Sequence, residues 1–167
     1  MVKSTTLSSG RKCQVDDEDY HILSITKWAD DSNGYAIRSA ITPEGVKTTE
    51  KMHRIIMQAK PGEIVDHING CPWDNRKENL RIVTDQENAR NSKMYSTNKS
   101  GYKGVAVYKN GRWTAQITVD YRKIHLGVFD DAEEAAIAYN DAATQHFGEY
   151  ARLNLLSDIA RHAAKLP

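Results

Sequence analysis

A short stretch of the sequence brings together a carboxylate, an imidazole and two side-chain amides. Asp66 and His67 are adjacent, while Asn79 and Asn88 follow the histidine by twelve and twenty-one residues. Histidine has an unperturbed pKa of ~6.5, so it can take a proton from water near neutral pH. A divalent cation held by oxygen ligands neutralises the charge that develops on a phosphate under attack. These residue types therefore suit hydrolysis of a phosphodiester bond.

Each of the four side chains has a predicted role in that reaction. His67 is the predicted general base, and Asp66 with the side-chain oxygen of Asn88 forms the predicted pair of metal ligands. Asn79 has two alternative roles. It either accepts a hydrogen bond from the imidazole Nδ1–H, which fixes the tautomer of His67, or it holds the adjacent loop.

The pattern around these residues predicts a hairpin that carries the site. A brief strand is expected over residues 64–68, a loop over 69–75, and a second strand over Leu80 to Val83. Apolar residues at helical spacing predict a short amphipathic helix between Thr49 and Ala59.

A helix is also predicted after the hairpin. Thr84 and Glu87 are spaced as a capping box, so this helix should begin at Asp85 and run past Asn91.

The same residues carry a family resemblance. The segments concerned are Val65-Asp66-His67-Ile68-Asn69-Gly70, Asp74-Asn75-Arg76, Glu78-Asn79-Leu80-Arg81 and Gln86-Glu87-Asn88-Ala89-Arg90-Asn91. They resemble the HNH endonuclease family, specifically the phage homing-endonuclease branch with a ββα-metal motif, over roughly residues 11–95. The resemblance implies that Asp66 and Asn88 bind metal and that His67 is the general base. His53-Arg54 resembles a pair that precedes the motif in this branch, and His53 is expected to be a packing or supporting residue.

The residue at position 88 bears on the choice of metal. Asn88 stands where the commoner HNH pattern has a histidine. An Asp and Asn pair offers hard oxygen ligands, which suit magnesium or manganese better than zinc. We therefore expect magnesium or manganese, and zinc is not expected.

The remaining sequence predicts elements on both sides of this motif. The first fifty residues are expected to form a small platform of short strands, including one over Asp19 to Leu23, with a tight turn at Asn33-Gly34. Beyond a polar linker, period-two alternation predicts three strands. Asp131 and Glu134 then predict the start of an alanine-rich helix that ends near Gly148.

Polar and basic residues are expected on the side of these strands that faces away from the helix, or in their hairpin turns. The candidate DNA-contacting residues are Lys103, Tyr108, Lys109, Arg112, Gln116, Thr118, Lys123 and His125. Lysine and arginine neutralise phosphates, and glutamine can bond bidentately to adenine. The chain has a net charge of only +1, but residues 99–127 hold six lysines or arginines and one aspartate. This module is therefore predicted to bind a polyanion.

A second resemblance covers this module. The segments concerned are Ser100-Gly101-Tyr102-Lys103-Gly104-Val105, Gly111-Arg112-Trp113-Thr114-Ala115-Gln116-Ile117, His125-Leu126-Gly127-Val128-Phe129, Glu133-Glu134-Ala135-Ala136-Ile137-Ala138-Tyr139 and Arg152-Leu153-Asn154. They resemble the APETALA-type domain of plant ethylene-response factors, which lays a three-stranded sheet in the major groove and backs it with one helix. Several positions that are arginine or tryptophan in plant members differ here, so the plant sequence preference is not carried over. These are Ala106, Tyr108, Thr118 and His125.

The sequence thus predicts an α+β protein in which a ββα-metal HNH nuclease centre precedes a three-stranded antiparallel sheet packed on one helix. Its predicted segments are a platform (1–50), the nuclease motif (51–94), a linker (95–100), the APETALA-type domain (101–155) and a C-terminal tail (156–167). The expected function is that of a metal-dependent homing endonuclease of the phage type that nicks or breaks double-stranded DNA. A non-catalytic DNA-binding regulator is the alternative. A protein that binds RNA or an acidic protein partner is a second alternative.

Other features narrow the setting in which the protein works. No apolar run approaches the ~18 residues of a membrane span, and the first ten residues lack the apolar core of a secretory signal. Cys13 and Cys71 lack metal-site spacing and are expected to be free thiols. An intracellular location follows, which is the cytoplasm of a host cell if a phage encodes the protein. Monomer and homodimer remain open.

Overall fold

The chain forms two compact units in a computed structural model that describes residues 1–92, 94 and 97–157. These units are Met1–Asn88 and Ala89–Pro167. Both units combine antiparallel β-structure with α-helix. In the described part of the chain, no helix is both long and apolar enough to cross a membrane. The protein is therefore of mixed α and β structure.

The first unit contains three small sheets. Its strands are β1 (Val2–Thr6), β2 (Lys12–Asp16), β3 (Ala29–Asp30), β4 (Ala36–Ile41), β5 (Lys47–Lys51), β6 (Ile64–His67) and β7 (Leu80–Val83), and its helices are α1 (Asp17–Ser24), α2 (Met52–Ile56) and α3 (Asp85–Arg90), the last of which runs into the second unit. β1 pairs with β2, β4 lies between β3 and β5, and β6 pairs with β7. All of these pairings are antiparallel.

One hydrophobic core unites the first fifty residues with the segment that follows them. Its buried members are Leu7, Cys13, Val15, Leu23, Trp28, Ala36, Met52, Ile56, Val65 and Leu80. Burial of these side chains removes apolar surface from water, which is the main favourable contribution to folding. The N-terminal strands and β6 and β7 therefore support each other through a shared core.

The strand predicted over Asp19 to Leu23 is wrong, because this segment belongs to α1. The first turn of α1 carries three carboxylates, which interact favourably with the positive end of the helix dipole. Tyr20 and Leu23 lie three residues apart and pack together on the core. Their spacing suits a helix face, whereas in a strand they would point to opposite sides.

The helix after the hairpin begins as predicted but is shorter. Thr84 N donates to Glu87 Oε2 at 2.8 Å and Glu87 N donates to Thr84 Oγ1 at 3.3 Å, which completes the capping box. α3 ends at Arg90 and has no buried residue. The sequence predicted a helix that runs past Asn91. Because α3 has no buried face, tertiary packing does not stabilise that extension.

In the described residues of the second unit, a three-stranded sheet packs on one long helix. Its elements are β8 (Val105–Val107), β9 (Trp113–Val119), β10 (Arg122–Phe129) and α4 (Ala132–Phe147). β9 is the central strand, and both of its pairings are antiparallel. The helix starts at the predicted cap, where Asp131 Oδ1 accepts from the amide of Glu133 at 2.6 Å. It ends at Phe147, next to Gly148, where the sequence predicted its end.

Small side chains bring α4 close to the sheet. Ala135, Ala136 and Ala143 are fully buried, and Tyr139 is nearly so. Gly104 lies directly beneath the Tyr139 ring, and a Cβ at this position would clash with that ring and approach the Gln116 carbonyl oxygen to 2.7 Å. Its φ of +77° also disfavours any other residue.

Substitution of Gly104 should therefore destabilise the second unit strongly. Gly104→Ala is expected to lower the free energy of unfolding by about 3 kcal/mol, from steric overlap and a left-handed backbone together. Gly101→Ala is the matched control, because Gly101 has a similar φ of +79° but no atom within 4 Å of the place that a Cβ would take. The control should cost only about 1 kcal/mol. Urea denaturation of the full chain measures both, and equal losses would contradict the packing at Tyr139.

Some predicted segments fall outside the described residues. These are residues 95–96 of the linker and 158–167 of the C-terminal tail. Residues 151–157 are described and contain no helix.

Candidate active site

The β6–β7 hairpin carries the predicted base and the first predicted metal ligand. Asp66 pairs with Arg81 and His67 with Leu80 across the two strands. The two side chains are only 8% and 4% exposed, although both are ionisable. Buried ionisable groups are costly unless they are paired or hydrogen-bonded, so their partners define this site.

Asn75 is a hydrogen-bonding partner of the His67 imidazole. Asn75 is completely buried, and its Oδ1 lies 3.3 Å from His67 Nε2. Its Nδ2 donates to the Pro72 carbonyl oxygen at 3.2 Å and to Cys13 Sγ at 2.9 Å. A carbonyl oxygen can only accept, so the Pro72 contact fixes the orientation of the amide. Oδ1 therefore faces the imidazole, the Nε2–H donates to it, and Nδ1 carries the lone pair.

Two further aromatic side chains pack against His67. The ring centroids of His53 and Tyr35 lie 5.0 Å and 5.7 Å from the His67 ring, and 5.1 Å from each other. Burial lowers the pKa of His67 below its usual value, and burial together with the charge of His67 lowers the pKa of His53 to about 3. Both imidazoles are therefore neutral near pH 7, and a neutral imidazole is the form that accepts a proton.

The Asp66 carboxylate is held by Arg81. Arg81 Nε and Nη2 donate to Asp66 Oδ2 at 3.0 Å and 2.9 Å. These charge-assisted hydrogen bonds pair the buried carboxylate with a guanidinium. An ionised carboxylate is also the form that binds a divalent cation.

The second predicted metal ligand lies on the surface of α3. Asn88 is exposed, and its side chain makes no hydrogen bond to the described residues. Among all the described residues, no group of three His, Cys, Asp or Glu side chains could hold a metal ion. Magnesium needs fewer protein ligands, because it keeps several waters and binds substrate phosphate. A donor set of one carboxylate and one amide oxygen therefore fits a hard divalent cation and does not resemble a structural zinc site.

The Asn79 side chain makes its hydrogen bonds within the loop. Its Oδ1 accepts from Asn69 N at 3.0 Å, and its Nδ2 donates to the Asp74 carbonyl oxygen at 2.7 Å and to Asn69 Oδ1 at 3.1 Å. These bonds close the loop between β6 and β7. The amide that faces the imidazole is that of Asn75, which lies in the same loop.

Charges in the loop are mostly paired. Arg76 forms a bidentate pair with Asp74, with both N–O distances at 2.7 Å, and the hydrogen bonds from Arg76 hold the pKa of Asp74 below its usual range. Lys77 contacts Glu18 and Asp19 of α1. These two cations stabilise the loop, and both are already engaged by carboxylates.

The second unit presents a polar sheet face. Gln116, Thr118, Lys123 and His125 are all exposed. Lys123 lies opposite Thr118, and His125 lies opposite Gln116, in the β9–β10 register. The other side of the sheet contributes Ile117 and Ala115 to the packing against α4. The face opposite the helix is therefore an open, partly basic surface.

The hairpin between β8 and β9 extends this polar surface. Tyr108, Lys109 and Arg112 are exposed there. Arg112 Nε donates to Asp130 Oδ1 at 2.6 Å. Because Asp130 lies just past β10, this ion pair ties the hairpin to the end of the sheet.

Lys103 lies apart from the other residues predicted for this face. It precedes β8, and its Nζ donates to the carbonyl oxygens of Arg90 and Ser92 at 2.6 Å and 2.8 Å. Burial, with a smaller effect of Arg152, lowers its pKa to about 8. The ammonium group is therefore occupied by main-chain acceptors.

Comparisons with known proteins identify the segment that carries Asp66 and His67. Residues 50–90 match the family described as HNH endonuclease. This segment contains the hairpin with the buried Asp66 and His67, and the helix that follows it. An uncharacterised HNH endonuclease of Acanthamoeba polyphaga mimivirus is 32% identical over 80% of this chain, and the chain covers 69% of that relative. The chain therefore belongs to the HNH endonuclease family.

Other relatives include a phage protein and plant transcription factors. Protein 3.8 of Escherichia phage T7 is 32% identical over 54% of the chain and 75% of its own length. An AP2/ERF and B3 domain-containing transcription repressor of Arabidopsis thaliana is 37% identical over 47% of the chain. The chain spans about a fifth of that plant protein, at 22% of its length. No solved structure matches the chain.

Sequence reasoning missed two residues of the site. Asn75 looks like an ordinary loop residue in the sequence, and Tyr35 lies in the segment predicted only as a platform. A weak signal was present for Asn75, which adjoins Asp74 within the quoted motif. Nothing local marks Tyr35, because only the fold brings it next to His67.

Proposed function

We propose that this protein is a metal-dependent endonuclease that hydrolyses a phosphodiester bond of DNA with His67 as its general base. The observation that carries this proposal is the buried imidazole, held through Nε2 by Asn75 and next to the buried Asp66 in the sequence of β6. Membership of the HNH endonuclease family supports the same reaction.

His67 performs the proton transfer in this reaction. With Nε2–H donated to Asn75, Nδ1 is the basic nitrogen and removes a proton from the attacking water. Burial keeps the imidazole neutral near pH 7, so it is ready to accept that proton. The rings of Tyr35 and His53 hold the imidazole in place from the other sides.

Asp66 and Asn88 would hold the metal, and magnesium or manganese suits their oxygen donors better than zinc. When bound, such a cation stabilises negative charge on the phosphate and on the departing oxygen. The two hydrogen bonds from Arg81 orient the Asp66 carboxylate. Asn79 contributes by holding the loop that carries Asn75.

The second unit is proposed to be an APETALA-type DNA-binding domain that positions the nuclease on duplex DNA. Support comes from the plant AP2/ERF relatives and from the open face of its sheet. The proposed contacts are Tyr108, Lys109, Arg112, Gln116, Thr118, Lys123 and His125. The sequence also predicts a DNA contact for Lys103, whose ammonium group donates to the main-chain carbonyls of Arg90 and Ser92.

A homing role of the phage type is the biological setting that we propose. Relatives from a giant virus and from a phage support it. One centre per chain cuts one strand, so a monomer would nick duplex DNA and a homodimer would break both strands.

Plasmid conversion tests this function. Purified protein with Mg²⁺ should convert supercoiled plasmid to nicked or linear DNA, and EDTA should abolish conversion while gel-shift binding of duplex DNA persists. The plasmid pool should include random inserts, so that a rare target is represented. Binding without cleavage in the presence of Mg²⁺ or Mn²⁺ across such a pool would instead support the non-catalytic regulator.

A further inference from the structure

A lysine lies next to the aromatic side chains that surround His67. The ammonium nitrogen of Lys51 is 4.9 Å from the centroid of the Tyr35 ring. That ring in turn packs against His53 and His67, at 5.1 Å and 5.7 Å between centroids. Tyr35 and Lys51 are both partly exposed to solvent.

Lys51 differs from the arginines around the site, because its ammonium group has no polar partner among residues 1–92, 94 and 97–157. Arg81 is bound to Asp66, and Arg76 is bound to Asp74. Arg54 donates to the main-chain carbonyls of Lys60 and Glu63. Among the described residues, the ammonium group of Lys51 makes no ion pair and no hydrogen bond.

The position of Lys51 is set by its strand and by its aromatic contact. It is the last residue of β5 and pairs with Ile37 of β4, immediately before α2. A cation over an aromatic face gains modest attraction but keeps its hydrogen-bond donors available for another ligand. After burial and the charge of His67, the positive charge of Lys51 also contributes to the low pKa of His53.

We propose that Lys51 binds a phosphate of the DNA backbone next to the scissile bond, with the Tyr35 ring holding the ammonium group in place. This role rests on the proposed function, because it assumes that DNA is cut at His67. Phosphodiester hydrolysis adds negative charge in the transition state, and a fixed cation at that point stabilises it. Lys51 is thus a substrate-binding residue of the nuclease centre, distinct from the residues that handle the proton.

Two measurements on the full-length protein test the role of Lys51. The first is the salt dependence of binding to a random-sequence DNA duplex in EDTA, where no cleavage occurs. Loss of one phosphate contact should reduce the slope of log K against log salt by ~0.9. The second is the single-turnover cleavage rate with Mg²⁺, which should fall by ~100-fold in Lys51→Ala. Lys51→Arg should retain most of both properties.

The matched control is Lys47→Ala, which removes an exposed lysine from the other end of β5. It should leave slope and rate near the wild-type values. If Lys51→Ala behaves like Lys47→Ala in the salt series, Lys51 is an ordinary solvated lysine and the proposal is wrong. If the wild-type protein cuts no DNA, the proposed function fails, and the salt series still decides whether Lys51 binds phosphate. Thermal melting of each variant checks that the fold is retained.

Discussion

Replacement of His67 by alanine is expected to lower the single-turnover rate of DNA cleavage by ~10²–10⁴-fold, because a positioned general base contributes about that much. DNA binding in EDTA should be unchanged, since His67 is buried and the proposed DNA-binding face lies on other residues. The measurement is a rapid-quench time course with Mg²⁺ on a plasmid or oligonucleotide that the wild-type protein cuts. Loss of cleavage with retained binding separates a chemical defect from a binding defect.

Two controls sharpen the interpretation of the His67 variant. His21→Ala removes an exposed histidine on α1, so it should cut at the wild-type rate. His67→Gln retains more of the side-chain volume but cannot act as a base near pH 7, so it should be as inactive as His67→Ala. Wild-type activity in His67→Gln would show that another group removes the proton, and the assignment of His67 would have to be abandoned.

The parts of the fold that could be predicted depend on local signals. The capping box at Thr84 and Glu87, and the cap at Asp131, place helix starts through contacts within one turn. Alternation along β9 separates Ala115 and Ile117 from Gln116 and Thr118 without any knowledge of the partner strands. Helix starts and strand faces can therefore be predicted where they depend on residues close together in the sequence.

The parts that could not be predicted depend on contacts distant in sequence. Asn75 bonds to Cys13, which is 62 residues away, so its burial cannot be inferred from the loop alone. Tyr35 reaches His67 only because β4 and β6 belong to sheets that share one core. Lys103 resembles a DNA-contacting lysine in sequence, yet its ammonium group binds the carbonyls of Arg90 and Ser92.

The buried polar groups in the hairpin and in the adjoining α2 argue for chemistry over simple binding. His53 Nδ1 is buried without a hydrogen-bond partner among the described residues, and Asp66, His67 and Asn75 are buried beside the same loop. A buried polar atom left unsatisfied costs roughly 1–3 kcal/mol, and such groups cluster at functional sites. A protein that only bound DNA through its sheet face would gain stability from apolar residues at these positions.

Asn75→Ala is expected to lower the cleavage rate by ~10–100-fold, because supporting hydrogen bonds that fix the orientation and tautomer of a histidine commonly contribute that much. The variant should also lose about 1–3 kcal/mol of stability, since the substitution leaves the Pro72 carbonyl and the His67 Nε2–H without their buried partner. Cleavage should be measured below the melting range of the variant, so that unfolding does not account for the loss.

A direct readout of the His67 tautomer separates orientation from stability. Long-range ¹H–¹⁵N spectra of the imidazole should show the proton on Nε2 in the wild-type protein and a mixture of tautomers in Asn75→Ala. Asn79→Ala is the matched control, because it loosens the same loop while the Asn75 amide still faces Nε2. Its spectrum should therefore retain the Nε2–H form even where its melting temperature falls. If both variants keep the wild-type tautomer and lose activity in proportion to stability, Asn75 supports the fold and does not orient the base.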